Sequence, residues 1–267
     1  ENADEDGYIG PAFLKDGMVW AHSVFFRALI AEYTATKDQR ILDALTKHYL
    51  RRPLKEVYAL NDLRIISVRN VADIEGALWL YGRTGDLRLL QAAEESYEEF
   101  NRIYSNDDEA DVNSKMRDLT LEGMLSNRKA KNNHGVTYCE LCKLPAILYR
   151  YTGKEIYKKA AIHAFDKAVR DNMLVDGVIS STEYLNGNGD SHAMHETCDI
   201  SDFTWAAGYL FMITGDPKYG DWVENAVFNA GLGAVDEDFK GEQYFSCPNQ
   251  VICDDHSNHA RFYKGAD

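Results

Sequence analysis

A chain of 267 residues with 45% hydrophobic side chains can bury a substantial core; it is long for one ordinary domain but acceptable for a single barrel or toroid. Lys+Arg total 29 against 43 Asp+Glu, a formal charge of −14. A field of that sign repels phosphate backbones and anionic head groups, which disfavours nucleic-acid and membrane-surface roles and leaves a neutral partner such as a glycan compatible.

No run of about 18 apolar residues occurs, so no bilayer-spanning segment is expected. The chain opens Glu1-Asn2-Ala3 with neither Met nor an apolar leader, the mark of a processed, trimmed or fragmentary sequence. Cytoplasmic, periplasmic and secreted locations all stay open. The five cysteines, an odd number, cannot all pair. So large a chain does not depend on a disulfide framework, and they read as reduced thiols or metal ligands.

Along the chain, a Thr-based turn recurs four times between helical stretches: Thr36-Lys37-Asp38, Thr84-Gly85-Asp86, Thr152-Gly153-Lys154 and Thr214-Gly215-Asp216. An aromatic stands three residues before each Thr (Tyr33, Tyr81, Tyr149, Phe211), and an apolar or aromatic residue five after it (Ile41, Leu89, Tyr157, Tyr219). Gly suits the left-handed position that ends a helix, and Asp caps the next helix by accepting from its free N–H groups. Lys37 and Lys154 depart from that pattern. The repeat predicts four αα-hairpins.

The connections at Ser105–Asn113 and Ser126–Gly135 read as loops, Val175–Gly189 as a short hairpin, and Gln243–Cys253 as extended. About Asp199 to Ile213 is apolar nearly all round and is expected inside. The helix after it shows one buried stripe of Tyr219, Trp222, Val223, Ala226 and Ala230. Inner helices paired with amphipathic outer ones are the plan of an all-α, (α/α)6 toroid, here two hairpins short, with short β-hairpins in the connections. An open solenoid shows the same pairing.

The densest chemistry is His192-Ala193-Met194-His195-Glu196-Thr197-Cys198-Asp199, at the start of the inner helix. Glu196 and Cys198 are good zinc ligand types, within reach of one ion from a loop entering a helix, and a helix N-terminus favours a thiolate. A capping cluster beside a buried Cys is the bland alternative. Glu183, thirteen residues before Glu196, stands in a hairpin where a Glu is ordinarily solvated; it is also placed to be the proton donor a glycosidase needs.

Glu183-Tyr184-Leu185-Asn186-Gly187 followed by Glu196-Thr197-Cys198 resembles glycoside hydrolase family 127, the β-L-arabinofuranosidases with a zinc-bound cysteine. So do His134-Gly135-Val136, Asp6-Gly7-Tyr8-Ile9-Gly10-Pro11 and Thr214-Gly215-Asp216-Pro217-Lys218-Tyr219. The resemblance implies a retaining glycosidase on an (α/α)6 barrel followed by β-domains. Glu183 would be its acid/base, Glu196 and Cys198 zinc ligands, and His134 would face the sugar, with carbohydrate as substrate.

The family's remaining zinc ligands are an adjacent Cys-Cys pair, one of them the nucleophile, and no such pair occurs here. Cys247 and Cys253 are the only later thiols. The expectation is one catalytic domain over residues 1–267, truncated before that pair and before the β-domains. Alone it would hold half a zinc site and show little hydrolysis. Two other readings stay open: a non-catalytic helical-repeat domain that binds a glycan or protein, and a zinc-free toroid lyase or epimerase. Among the remaining candidates, Cys139 and Cys142 are expected to pack inside a helix and His22 to be a core or interface residue. His256 and His259, beside Asp254 and Asp255, are spaced for a metal or for a solvated loop. Asp107, Asp108, Glu109 and Asp111 form a solvated run.

Overall fold

The computed structural model describes residues 3–15, 19–56, 68–105, 116–130, 133–190, 192–254, 256 and 262–264. Its helices are α1 (Trp20–Thr36), α2 (Gln39–Leu50), α3 (Ile74–Thr84), α4 (Leu87–Tyr104), α5 (Leu121–Leu125), α6 (Gly135–Cys142), α7 (Leu144–Thr152), α8 (Glu155–Asn172), α9 (Thr197–Thr214) and α10 (Pro217–Asn225). The strands are β1 (Ser181–Thr182), β2 (Tyr184–Leu185), β3 (His195–Glu196), β4 (Gly241–Gln243), β5 (Phe245–Ser246) and β6 (Phe262–Lys264). They pair antiparallel as β1–β2, β3–β5 and β4–β6. Most of Ser105–Asn113, together with Asp255 and His259, lies outside the described residues.

Each Thr-based turn is built the same way. The Thr hydroxyl donates to the carbonyl four residues back (Glu32, Leu80, Leu148, Leu210) at 2.7–2.9 Å. It also accepts the N–H two residues on, at 3.1–3.2 Å. Lys37, Gly85, Gly153 and Gly215 take left-handed φ angles of 59°, 69°, 68° and 68°. Their N–H groups reach the carbonyls of Tyr33, Tyr81, Tyr149 and Phe211 at 2.8 Å each. Asp38, Asp86 and Asp216 then cap the following helices, accepting from the N–H of Arg40, Arg88 and Lys218 at 3.0 Å. The turn therefore satisfies the end of one helix and the start of the next within three residues. Lys37 adopts the same conformation with a Cβ, at a strain of roughly 1 kcal/mol.

The chain divides into two compact units. The first, residues 1–106 with 147–154, carries α1 to α4. Its core joins Phe26 of α1, Leu42, Leu45 and Tyr49 of α2, Ala77 and Leu78 of α3, and Leu89, Ala93 and Phe100 of α4, all buried. Two histidines sit within this core, His22 and His48, their ring centroids 5.3 Å apart, so His22 is a core residue. Gly76 allows α3 to approach α2: a Cβ there would stand 2.0 Å from Tyr49 Oη.

The second unit, residues 107–146 and 155–267, holds the candidate site. Tyr138 of α6 donates to Ala164 O of α8 at 2.8 Å, and Phe165, Phe203, Trp222 and Tyr219 form a chain of rings across α8, α9 and α10, with centroids 5.0–6.3 Å apart. Each fully buried ring in it contributes ~2–3 kcal/mol. α9 differs from expectation on one side: Phe203, Ala206, Ala207 and Leu210 are buried, while Trp205, Phe211 and Met212 keep 40–56% of their surface. After α10 the helix widens into a π-helical turn, Ala226–Gly231. Of the stripe read from the sequence, Tyr219, Ala226 and Ala230 are buried while Trp222 and Val223 are only half-buried.

Candidate functional site

Glu183 is the single residue between β1 and β2, whose register pairs Thr182 with Tyr184. So tight a reversal puts Glu183 at φ 72°, a left-handed conformation costing a residue with a Cβ roughly 1–2 kcal/mol. The hairpin is held on both sides. Gly135 N donates to Glu183 O at 2.9 Å and Leu185 N to Asn133 O at 2.8 Å on one side, and Ser181 N donates to Met194 O at 2.8 Å on the other.

These bonds bring the hairpin against the start of α6. His134 is that helix's N-cap, and its Nδ1 accepts the N–H of Thr137 at 3.2 Å. The imidazole proton therefore sits on Nε2, which faces Glu183 Oε2 at 3.3 Å. The other oxygen, Oε1, accepts from Tyr244 Oη at 2.9 Å. Glu183 keeps 37% of its side chain accessible and His134 12%.

Glu196 ends β3 and caps α9 in a capping box, its side chain accepting from the N–H of Asp199 while Asp199 Oδ2 accepts from Glu196 N at 3.3 Å. β5 delivers Tyr244 to the same place: Thr197 N donates to Tyr244 O at 3.0 Å, and the Tyr244 hydroxyl hydrogen-bonds Glu196 as well as Glu183. Burial first, and then the Glu183 contact, hold the Tyr244 phenol well above its ordinary range. Ligand atoms of His134, Glu183 and Glu196 all lie within 4.8 Å of one another. Cys198, exposed at the second position of α9, hydrogen-bonds Glu196. Its thiol is pushed up to about 12, by desolvation within the surrounding protein first and then by the bond to Glu196 and the charges of Glu196, Asp199 and Asp202.

The structure thus brings together three of the four residues singled out from the sequence, Glu183, His134 and Glu196, while Cys198 lies beside Glu196 but outside that group of donors. It adds two to which the sequence reading gave no role at the site. Tyr244 was legible only as an aromatic in an extended stretch. Asp199, fully buried, is held well above the usual carboxylate range by burial and by the Glu196 charge. Asp199 and Ser181 also explain Gly135: a Cβ there would stand 2.3 Å from Ser181 Oγ and 2.5 Å from Asp199 Oδ1.

The other cysteines stay apart. Cys139 and Cys142 are fully buried in α6, where desolvation raises both thiols. Among the described residues neither Cys247 nor Cys253 joins a group of three metal donors. His256 is exposed beside Asp254, at 3.8 Å.

The sequence model of the family described as β-L-arabinofuranosidase, GH127 catalytic domain, matches residues 2–264. The chain belongs to this GH127 family. A solved glycoside hydrolase superposes with a TM-score of 0.72 at 20% identity, over 96% of this chain and 44% of that one. Ara127N, a GH127 β-L-arabinofuranosidase from Geobacillus stearothermophilus T6, gives 0.72 at 18% identity, over 93% and 43%. The GH127 chain therefore spans under half the length of these two structures. A cellobiose 2-epimerase from Bacillus thermoamylovorans superposes at 0.56 and 15% identity, over 92% and 67%. At such identities the likeness is one of fold, the all-α toroid class. No curated protein matches the sequence.

Proposed function

We propose that this GH127 protein is a retaining glycoside hydrolase acting on β-L-arabinofuranosides, with Glu183 as its acid/base. The observation that carries this reading is the convergence of Glu183, His134 and Glu196 within 4.8 Å, with Cys198 bonded to Glu196. A non-catalytic repeat domain has no need to hold two carboxylates and an imidazole so close, one of them on a left-handed backbone.

Glu183 meets one donor at each oxygen, His134 Nε2–H and Tyr244 Oη–H, which fixes its plane. When Glu183 carries the proton for a leaving oxygen, the Tyr244 hydroxyl can turn its own hydrogen towards Glu196, its second partner. One phenol thereby serves both protonation states of the acid/base. His134, beside the accessible edge of Glu183, would face the sugar, as the resemblance implies.

The donor types at Glu196 and Cys198 fit zinc, and a divalent cation would neutralise the acidic charges of Glu196, Asp199 and Asp202 that, after desolvation, raise the Cys198 thiol. Glu196 and Cys198 would hold the ion. A bound zinc would keep its cysteine ligands as thiolates, and the nucleophile that the resemblance implies is not Cys198 but one of an adjacent Cys-Cys pair, which these 267 residues do not contain.

Two measurements test the reading. In the full-length gene product, release of 4-nitrophenol from its β-L-arabinofuranoside should fall by about 10²–10⁴ in kcat for Glu183→Gln. Zinc titrated into metal-free protein should bind in wild type and be lost with Cys198→Ser. Unchanged turnover in Glu183→Gln rejects the acid/base assignment, and unchanged zinc binding in Cys198→Ser rejects the metal site.

A further inference from the structure

Behind Glu196 lies a second polar chain. Asp176 Oδ2 is 2.7 Å from His195 Nε2, and His195 Nδ1 is 3.2 Å from Ser246 Oγ. His195 and Ser246 are almost fully buried, and they face each other in the β3–β5 register, where Glu196 pairs with Phe245. A carboxylate only accepts, so Nε2 carries the ring proton; Nδ1 is then an acceptor, and the Ser246 hydroxyl donates to it. Each group fixes the orientation of the next. The far end is anchored as well. Asp176 sits in a reversal closed by Leu174 N to Val178 O at 2.9 Å and Gly177 N to Leu174 O at 3.1 Å. Gly177, at φ 94°, lies so close to the start of the π-helical turn that a Cβ would stand 2.7 Å from Asn225 Cβ and 3.0 Å from Ala226 N. The three polar residues line a cavity of about 490 Å³ with Phe228, Asn229 and Ala230 of that turn, so deleting one of their side chains leaves space rather than a collapsed core.

We infer that Asp176, His195 and Ser246 are positioning residues: they lock β3 to β5 and so hold Glu196, and through Tyr244 also Glu183, in reacting geometry. The inference rests on the glycosidase reading above. Two-residue strands have little register of their own. Three side chains in series, tied to a rigid reversal and a π-turn, supply what the strand pair lacks. A displacement of about 1 Å at a reacting group costs on the order of 10²-fold in rate, and outer partners of metal ligands carry about 10–100-fold in affinity.

The test compares Asp176→Ala, Asp176→Asn and Ser246→Ala with wild type, each in the full-length gene product, in arabinofuranosidase kinetics and zinc titration. Asp176→Ala should lower kcat at least tenfold with KM within about threefold, and weaken zinc binding by about tenfold. Asp176→Asn, whose amide oxygen still accepts from Nε2–H, should recover most of both. Ser246→Ala should lie between. Wild-type kcat and zinc affinity in Asp176→Ala overturn the inference, as does an Asp176→Asn no better than the alanine variant. Failure of the glycosidase reading shows in wild type alone: a protein with neither turnover nor zinc binding removes the site the chain would serve and overturns both.

Discussion

His48 makes the folded protein sensitive to acid by an amount that can be worked out. Its ring is buried against Tyr8, His22, Phe26 and Tyr49, and its Nδ1 accepts the N–H of Ile9 at 2.9 Å, a bond that only the neutral ring can make. Burial, and then the charge of Arg51, the neighbouring His22 and Arg52, lower its pKa to about 3, against a smaller opposing pull from Asp6. An unfolded imidazole titrates near 6.5. The unfolded chain therefore takes up a proton that the folded chain refuses, and stability is lost as pH falls below the unfolded value. Between about pH 7 and about pH 5 the loss from this one group is about 2 kcal/mol. His22, lowered to about 4, acts in the same direction, while buried Asp73, raised to about 7, opposes both.

A difference measurement isolates His48, because Asp73 is common to both proteins. The variant is His48→Gln, whose amide oxygen can still accept from Ile9. Urea unfolding followed by tryptophan fluorescence, to which Trp20 and Trp79 of the first unit contribute alongside Trp205 and Trp222, should show wild-type stability falling about 2 kcal/mol further than the variant's over that pH interval. Parallel pH profiles for the two proteins would refute the assignment of a buried neutral ring.

Gly135→Ala should lower stability by about 1–3 kcal/mol and abolish most turnover, because its Cβ must displace Ser181 or Asp199 beside His134; thermal melts and kinetics read both effects. Gly208→Ala, in the middle of α9 with nothing within 4 Å of the added carbon, should instead stabilise the chain by about 0.5–1 kcal/mol. Tyr244→Phe keeps the ring and removes the hydroxyl bridging Glu183 and Glu196, so kcat should fall about tenfold, or about 1.4 kcal/mol, with little change in melting temperature. Asp86→Ala should cost about 1 kcal/mol in chemical denaturation through the lost cap of α4.

The turns were legible in the sequence because their physics is local. Thr, a left-handed residue and Asp satisfy backbone groups within four residues of themselves, so residue identity alone gave the helix ends at Gly85, Gly153 and Gly215. Lys37 followed the same path against its own propensity, because Thr36 and Asp38 fix both flanks. The site was half legible. Glu183, Glu196, Cys198 and His134 could be singled out by residue type and resemblance, while the geometry joining them could not. Tyr244 lies 61 residues from Glu183 and reaches it through a strand pair two residues long, too short to print a period-two pattern. The π-helical turn after α10 was equally silent, since Tyr219, Trp222, Ala226 and Ala230 match an ordinary helix until the extra residue is seen.

The site is also an electrostatic problem with a visible solution. Glu183, Glu196, Asp199 and Asp202 crowd the entrance of α9 in a protein already carrying a formal charge of −14. Part of that charge is met by backbone: Glu196 caps an 18-residue helix and His134 caps α6, so two helix N-termini, each equivalent to roughly half a positive charge, open at the site. Part is removed by protonation, with Asp199 held neutral towards higher pH and the Cys198 thiol pushed up to about 12. The buried ammonium of Lys143, 3.8 Å from Asp202 Oδ1, meets another share from within α9's packing face. Glu196 therefore faces the dipole of the helix it caps, and Cys198 beside it stays a neutral thiol, so the acids at this helix entrance are held by backbone, a lysine and protonation rather than by a set of exposed cations.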